Sequence, residues 1–313
     1  MSARTALLDT LSALADCLES PVLIDLAPSE VSHNRRAAML RQGQAVLLFS
    51  AMETFLRDRT AEVLQSFDAA VVSFSGLSEK LQTAVTLGAM HGLQNRVKAQ
   101  DKQLQSSWLM TEAAAIASAS TSLSTLSRYS FAHDRSNIAE DDVSNILSAF
   151  GVDKPWESIT AVTGRSGASL PDAKAEFIAI KKRRHSSAHV VTGAVPHADL
   201  EQSLLAVRSI CAAFDLLISK ARILANRGNF PGVGGNSKLI GATLSLVFVQ
   251  PRSGKFIVVR EQQAPPQPPL RRTTVRVLDD LAAAQRFGRT YASKSGSFLL
   301  LRDASGIPRD WET

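Results

Sequence analysis

Seven consecutive residues, Arg183-Arg184-His185-Ser186-Ser187-Ala188-His189, gather two guanidiniums, two imidazoles and small hydroxyl side chains. Those are the groups that break a phosphodiester of RNA without a metal. A neutral imidazole takes the proton from the 2′-hydroxyl, or an imidazolium protonates the departing 5′-oxygen, while a guanidinium balances charge on five-coordinate phosphorus. The product of that chemistry is a 2′,3′-cyclic phosphate.

Spacing alone does not single this segment out. With six histidines in 313 residues, about half an Arg-x4-His pair is expected by chance, and Arg128 and His133 share the spacing. Five residues place Arg184 and His189 about 140° apart on a regular helix. One segment is then half of a site, and a twofold contact between two copies would complete it.

The blander readings of the same residues are specific too. Lys181-Lys182-Arg183-Arg184 suits a helix end where cations offset the dipole, and Lys181, Lys182 and Arg183 equally suit contact with an RNA backbone. His185 and His189 stand four apart, a spacing suited to zinc, but no Glu lies between them and no third ligand is evident, so no metal and no cofactor is expected. By pattern, Glu53 is the polar edge of an amphipathic helix and Arg57-Asp58-Arg59 a surface ion-pair cluster. His133 reads as a structural or RNA-contacting group. Gly232-Val233-Gly234-Gly235 lacks the Lys and hydroxyl residue of a phosphate-cradling loop and reads as a hinge.

The elements that must position these groups are mainly helical. Apolar residues from Met39 to Leu64 recur at spacings of three and four, predicting a long helix from Ser32 to about Phe67. A second helical stretch, one long helix or a broken pair, runs from Ser78 to about Ala119, with Gly88 and Gly92 marking a bend or a close helix contact. Glu140-Asp141-Asp142 opens a short helix ending at Gly151, with Pro155 marking the exit. Pro171-Asp172 opens the helix that runs into the basic block, and Asp199 opens a last long one to about Asn226. Past Arg227 the composition changes: glycines break the helical period, and Leu244–Val249, Phe256–Val259 and Phe298–Leu301 read as strands. Pro251-Arg252-Ser253-Gly254 supplies a turn, 264–269 is a Pro-rich extended segment, and Val275 to Phe287 is expected to be helical. The division is therefore 1–228, helical, and 229–313, small and β-rich.

Composition sets the outer bounds. Hydrophobic residues make up 45% and charged residues 20%, ordinary values for a folded globular chain. The net charge of +6 and pI near 9.5 favour polyanionic partners without requiring them. Cys17 and Cys211 offer neither a disulfide framework nor a Cys-rich zinc site. Asp9, Asp16 and Glu19 interrupt the N-terminal apolar run, which excludes a signal peptide or a span there and leads to an expected cytoplasmic, reducing location.

Several segments together resemble the HEPN superfamily, whose signature is Arg, then Asn, Asp or His, then a few residues to a His. Phe49-Ser50-Ala51-Met52-Glu53-Thr54-Phe55-Leu56-Arg57-Asp58-Arg59 is similar to the first long helix of its RiboL-PSP branch. Ser136-Asn137-Ile138, Ile146-Leu147-Ser148-Ala149-Phe150-Gly151-Val152 and Trp156 are similar to that branch's middle segment. The resemblance covers about residues 30 to 225. It implies a mainly α, HEPN-type antiparallel helical bundle, here with a C-terminal α+β, β-rich appendage. It also implies an endoribonuclease with Arg184 and His189 as the catalytic pair, His185 as the supporting polar residue and Glu53 as an acidic neighbour. A homodimer with a composite site, an RNA substrate, and a toxin or antiphage-defence role with an antitoxin or regulatory partner follow from the same resemblance. The alternative is a catalytically silent scaffold that binds RNA or a partner. His185 stands where Asn is commoner, and Val190 where Gly often follows the His.

Overall fold

The computed structural model describes residues 1–67, 72–98, 100–119, 123, 126–133, 137–190, 194–262 and 271–313. The Pro-rich reading of 264–269 and the Ser136 position of the middle segment lie outside the described residues. The helices are α1 (Ala3–Leu18), α2 (Val31–Gln65), α3 (Glu79–Thr83), α4 (Ala89–Val97), α5 (Gln105–Ser118), α6 (Glu140–Ala149), α7 (Pro155–Ser166), α8 (Ala173–His189), α9 (His197–Ala225) and α10 (Leu281–Ser295). The strands are β1 (Leu246–Arg252), β2 (Lys255–Gln262), β3 (Arg271–Leu278), β4 (Phe298–Arg302) and β5 (Pro308–Glu312). The chain is thus mainly α with a small C-terminal sheet. Among the described residues no helix is long and apolar enough to cross a membrane.

Helix α2 is the spine. Phe49, Met52, Phe55, Leu56, Val63 and Leu64 are fully buried along it, and α1, α8 and α9 pack on it. Its companion α9 buries an unbroken run from Val207 to Ser219, since it is covered on every side, as expected for a central helix.

The sheet has the order β3-β2-β1-β4-β5, antiparallel except for the parallel pair β1 and β4. That parallel step needs a crossover, which α10 supplies. Side chains of β1 alternate in destination with the period of two. Leu246 and Phe248 join the helical core, while Val247 and Val249 pack under α10 with Ala284 and Ala292. One face of the sheet therefore completes the core of the helices.

Two expectations are corrected. Val275 to Phe287 is not one helix: Arg271–Leu278 is an edge strand and the helix starts at Leu281, capped by Asp280, whose carboxylate accepts the Ala283 N–H. The β-branched Thr273 and Thr274 pair with Arg260 and Val259 of β2, with Val275 at a bulge, and override the helical reading. Pro155 is no exit marker but the first residue of α7, a helix not expected from sequence, because proline's fixed φ suits a helix start. Of the two readings of Ser78 to Ala119, the broken one holds: the stretch passes through a π turn at Ala84–Gly88, and α4 ends at Val97 before α5 begins.

Candidate active site

Helix α8 carries the basic segment, and its own sequence explains its placement. Asp172 caps it by accepting the Ala175 N–H at 3.0 Å. Ala173, Phe177 and Ile180 form its buried stripe, and Phe177 packs against Phe49 and Trp156 at 6.0 and 5.3 Å between ring centroids. Beyond Ile180 the same stripe continues through Arg184 and Ser187, since residues three and four apart share a face. The stripe turns polar there while still facing inward. Arg184 is half-buried, its Nε is inaccessible to solvent and meets no acceptor, and the Ser187 hydroxyl is likewise buried without a partner. A guanidinium N–H left without an acceptor costs free energy, a feature that Arg184 shares with Arg208, Arg222 and Arg302; what sets Arg184 apart is that its charge acts on a buried carboxylate of α2.

The acidic group that senses Arg184 is Glu53. It occupies the buried stripe of α2 between Phe49 and Leu56 and is only 6% exposed, so it is not the polar helix edge that its pattern suggests. Its carboxylate accepts the Ile138 N–H and lies 4.0 Å from Arg57. Burial pushes the Glu53 carboxyl above the ordinary range, opposed by the Ile138 N–H and by the charges of Arg57 and Arg184. Arg57 is held in turn by the Ala132 carbonyl, to which its Nε donates at 2.8 Å. Two cations therefore act on Glu53: Arg57 at 4.0 Å and, more weakly, Arg184 of α8.

The imidazoles lie elsewhere on α8. His185 and His189 are solvent-exposed with ring centroids 4.7 Å apart, as an i, i+4 pair must be. The helix stays regular through His189, so the angular offset expected from spacing persists, with Arg184 turned inward to Glu53 and the two rings on the solvent side. The helix end is pinned by Gln42, whose Nε2 donates to the Val190 carbonyl at 3.2 Å.

The three cations assigned to RNA contact are not equivalent. Lys181 pairs with Glu140, and Arg183 with Asp199 at 3.1 Å and Ser203 at 3.2 Å. Only Lys182 is fully exposed and without such a partner among the described residues. Among the described residues no group of three or more His, Cys, Asp or Glu side chains could hold a metal ion.

Arg57-Asp58-Arg59 is not a surface cluster. Only Asp58 reaches outward, pairing with Arg128 at 3.3 Å; Arg59 donates to the fully buried Asp215 at 2.6 Å. Sequence reasoning missed Arg57 as a site neighbour, although its place one turn after Glu53, on a helix whose adjacent residues are apolar, was the available signal. It also missed that the second Arg-x4-His segment lies across Arg57 from the first. His133 Nδ1 accepts from Arg96 Nη2 at 3.3 Å, and burial, then Arg96, Arg57 and Arg128, push the imidazole down to about 4. An imidazole so depressed stays neutral at physiological pH and cannot protonate a leaving group. His133 is thus a half-buried ring among guanidiniums, whereas His185 and His189 are exposed.

No family model, curated protein or solved structure matches this chain.

Proposed function

We propose that the protein is a metal-independent endoribonuclease of the HEPN type, in which Arg184 stabilises the phosphorane and His189 transfers the proton. The observation that carries this reading is Arg184 itself, a half-buried guanidinium whose Nε has no acceptor and whose charge acts on the buried Glu53 carboxylate, on the same helix as a pair of exposed imidazoles. A phosphate oxygen would satisfy that donor. Glu53 would hold the guanidinium in place, and His185 would orient His189 through their ring contact.

The inward Arg184 and the outward His189 suit a site completed by a second copy of the chain, so the active form in this reading is a homodimer with RNA across the twofold axis. A toxin or defence role with a restraining partner fits such an enzyme, whose unrestrained activity would harm its own cell. The second reading, a silent RNA-binding or partner-binding scaffold, is favoured by one observation: within one chain the ring that His189 meets is that of His185 and not the guanidinium of Arg184.

Purified protein incubated with single-stranded RNA in EDTA separates the two. Cleavage to 2′,3′-cyclic phosphate ends that is lost in both Arg184→Ala and His189→Ala supports the enzyme, with each variant reduced by about a hundredfold or more, the usual size of a general acid–base or charge-stabilising contribution. RNA binding with no cleavage by the wild type supports the scaffold.

A further inference from the structure

The segment Arg128–His133 has no part in the chemistry above, yet it is built with unusual care. Helix α4 approaches it so closely that a Cβ at Gly92 would lie 2.5 Å from the Tyr129 carbonyl oxygen, and one at Gly88 would lie 2.9 Å from that of Ser130. Only glycine permits this approach. The contact places three partly exposed rings in a row: Trp108 to Tyr129 at 5.5 Å and Tyr129 to His133 at 5.0 Å. Guanidiniums flank the row. Arg128 lies 5.8 Å over the Tyr129 ring, and Arg96 has only the neutral His133 nitrogen as a polar partner among the described residues. Beside the rings opens a cavity of about 620 Å³, whose lining includes Tyr129, His133, His91 and Asn145, the charged Lys80, Glu79 and Asp142, and apolar Leu87 and Ile146. That volume falls within the roughly 300–1,000 Å³ of small-ligand sites.

We propose that this cavity is a nucleotide subsite for single-stranded RNA, in which an unpaired base stacks on the Tyr129 and His133 rings and its phosphate is held by Arg96. Aromatic faces alternating with guanidiniums are the surface that single strands use, since every base offers a π face and every linkage a charge. A duplex cannot use it, because its bases are stacked on one another. His133 gains from being neutral: it presents a flat ring and a single N–H to a base rather than a fourth repelling cation, and the charged groups facing it are Arg96, Arg57 and Arg128. Arg57, shared between Glu53 and the Ala132 carbonyl, joins this subsite to the carboxylate on which the charge of Arg184 acts. The choice of RNA as the ligand rests on the ribonuclease reading.

The test uses the full chain and a fluorescein-labelled 2′-O-methyl oligoadenylate, which lacks the attacking hydroxyl and so reports binding without cleavage. Anisotropy is expected to show binding of the single strand, weakened roughly tenfold or more in Tyr129→Leu and in Arg96→Gln, the size of one lost stacking or phosphate contact. Tyr129→Phe should bind as the wild type does, which a merely folding-related effect of position 129 would also allow; the exposed Arg96 therefore serves as the second, independent variant. Unchanged affinity in both Tyr129→Leu and Arg96→Gln, or equal binding of the same strand when duplexed, would overturn the subsite. Displacement of the oligonucleotide by inorganic phosphate at equal concentration would also overturn it, as showing an anion site alone. The two readings fail separately. A wild type that cleaves nothing but binds the strand through Tyr129 and Arg96 keeps the subsite and loses the enzyme. Cleavage with KM and binding unchanged in both variants does the reverse.

Discussion

His133 should make the stability of this protein depend on pH in a window that can be assigned to one residue. Its pKa falls from 6.5 to about 4 on folding, through burial and then the charges of Arg96, Arg57 and Arg128. In the unfolded chain the ring takes up a proton below 6.5; in the folded protein it does not until about 4. The folded pKa is depressed, so the contribution is fully present above pH 6.5 and is lost as pH falls towards 4. The gap of 2.5 units corresponds to about 3 kcal/mol at 1.36 kcal/mol per unit. Solvent reaches part of the ring and screens the three guanidiniums, which reduces the expected effect to about 2 kcal/mol. Urea unfolding of the wild type and of His133→Gln, measured above pH 6.5 and again near pH 4, isolates it. Glutamine keeps an acceptor for Arg96 and has no proton to gain, so the difference in stability between the two proteins should change by that amount across the window. Parallel curves, or a ring resonance titrating near 6.5, would refute the electrostatic account of this cluster.

Other outcomes follow from the same contacts. Gly92→Ala should destabilise the protein by about 1–3 kcal/mol, because its methyl group meets backbone rather than a movable side chain; a shift in urea midpoint reads this, and a neutral result would show that α4 can move away from Tyr129. Glu53→Gln should flatten the pH dependence of stability above the ordinary carboxylate range. Its raised pKa means that its contribution is present below the unfolded value and lost as pH rises through the folded one, and a Gln variant whose stability has the same slope would contradict this. Glu261→Ala should lower stability by about 3–5 kcal/mol, since it strands the buried Arg165, whose Nη2 reaches that carboxylate at 2.6 Å; thermal unfolding reads it.

Much of the fold was legible because it obeys simple periods. The long helix α2, the close of α8 at the basic block and three of the strands follow from apolar spacing, and the glycines at 88 and 92 do mark a close contact. The structure makes clear why β3 and α7 were not legible. The solvent-facing edge strand β3 has no buried alternation for a pattern to show, being exposed along most of its length. Helix α7 begins on a proline after a residue, Lys154, in the left-handed region at φ 43°, so its start looks like the end of the preceding helix. At the site, the residue types at 184, 185 and 189 were legible and their partners were not. The ion pairs of Lys181 and Arg183 with Glu140 and Asp199, and the meeting of Glu53 with Ile138, join residues far apart in sequence. The packing of α6 and α9 against α8 creates the two ion pairs, and the approach of the segment before α6 to α2 creates the Glu53 contact.

The same long-range logic ties the C-terminal sheet to the site. Asp215 in α9 is fully buried and accepts from Arg59 of α2 at 2.6 Å, from Ser219 at 2.9 Å and from the Trp311 indole of β5 at 2.8 Å. Trp311 also packs edge-on against Phe55 of α2 at 6.1 Å. Arg59 and Phe55 flank Arg57 and lie within two turns of Glu53, so β5 braces the part of α2 that faces Arg184. On the other side, Arg165 of α7 donates to the Gly241 and Leu244 carbonyls and to Glu261 of β2, while Arg272 and Arg302 donate to its own carbonyl. Residues 229–313 are thus expected to be inseparable from the helices. Truncation after Gly228 would leave Arg165 without its carboxylate and Asp215 with one donor fewer, and would open the core at Phe55. A buried charge that loses its partner costs about 3–5 kcal/mol, so the loss at Arg165 alone is a large part of the stability of an ordinary domain, to which the lost Trp311 donor and the opened core add. Circular dichroism of residues 1–228 should show lost cooperativity, and a truncated chain that unfolds like the full one would refute the brace.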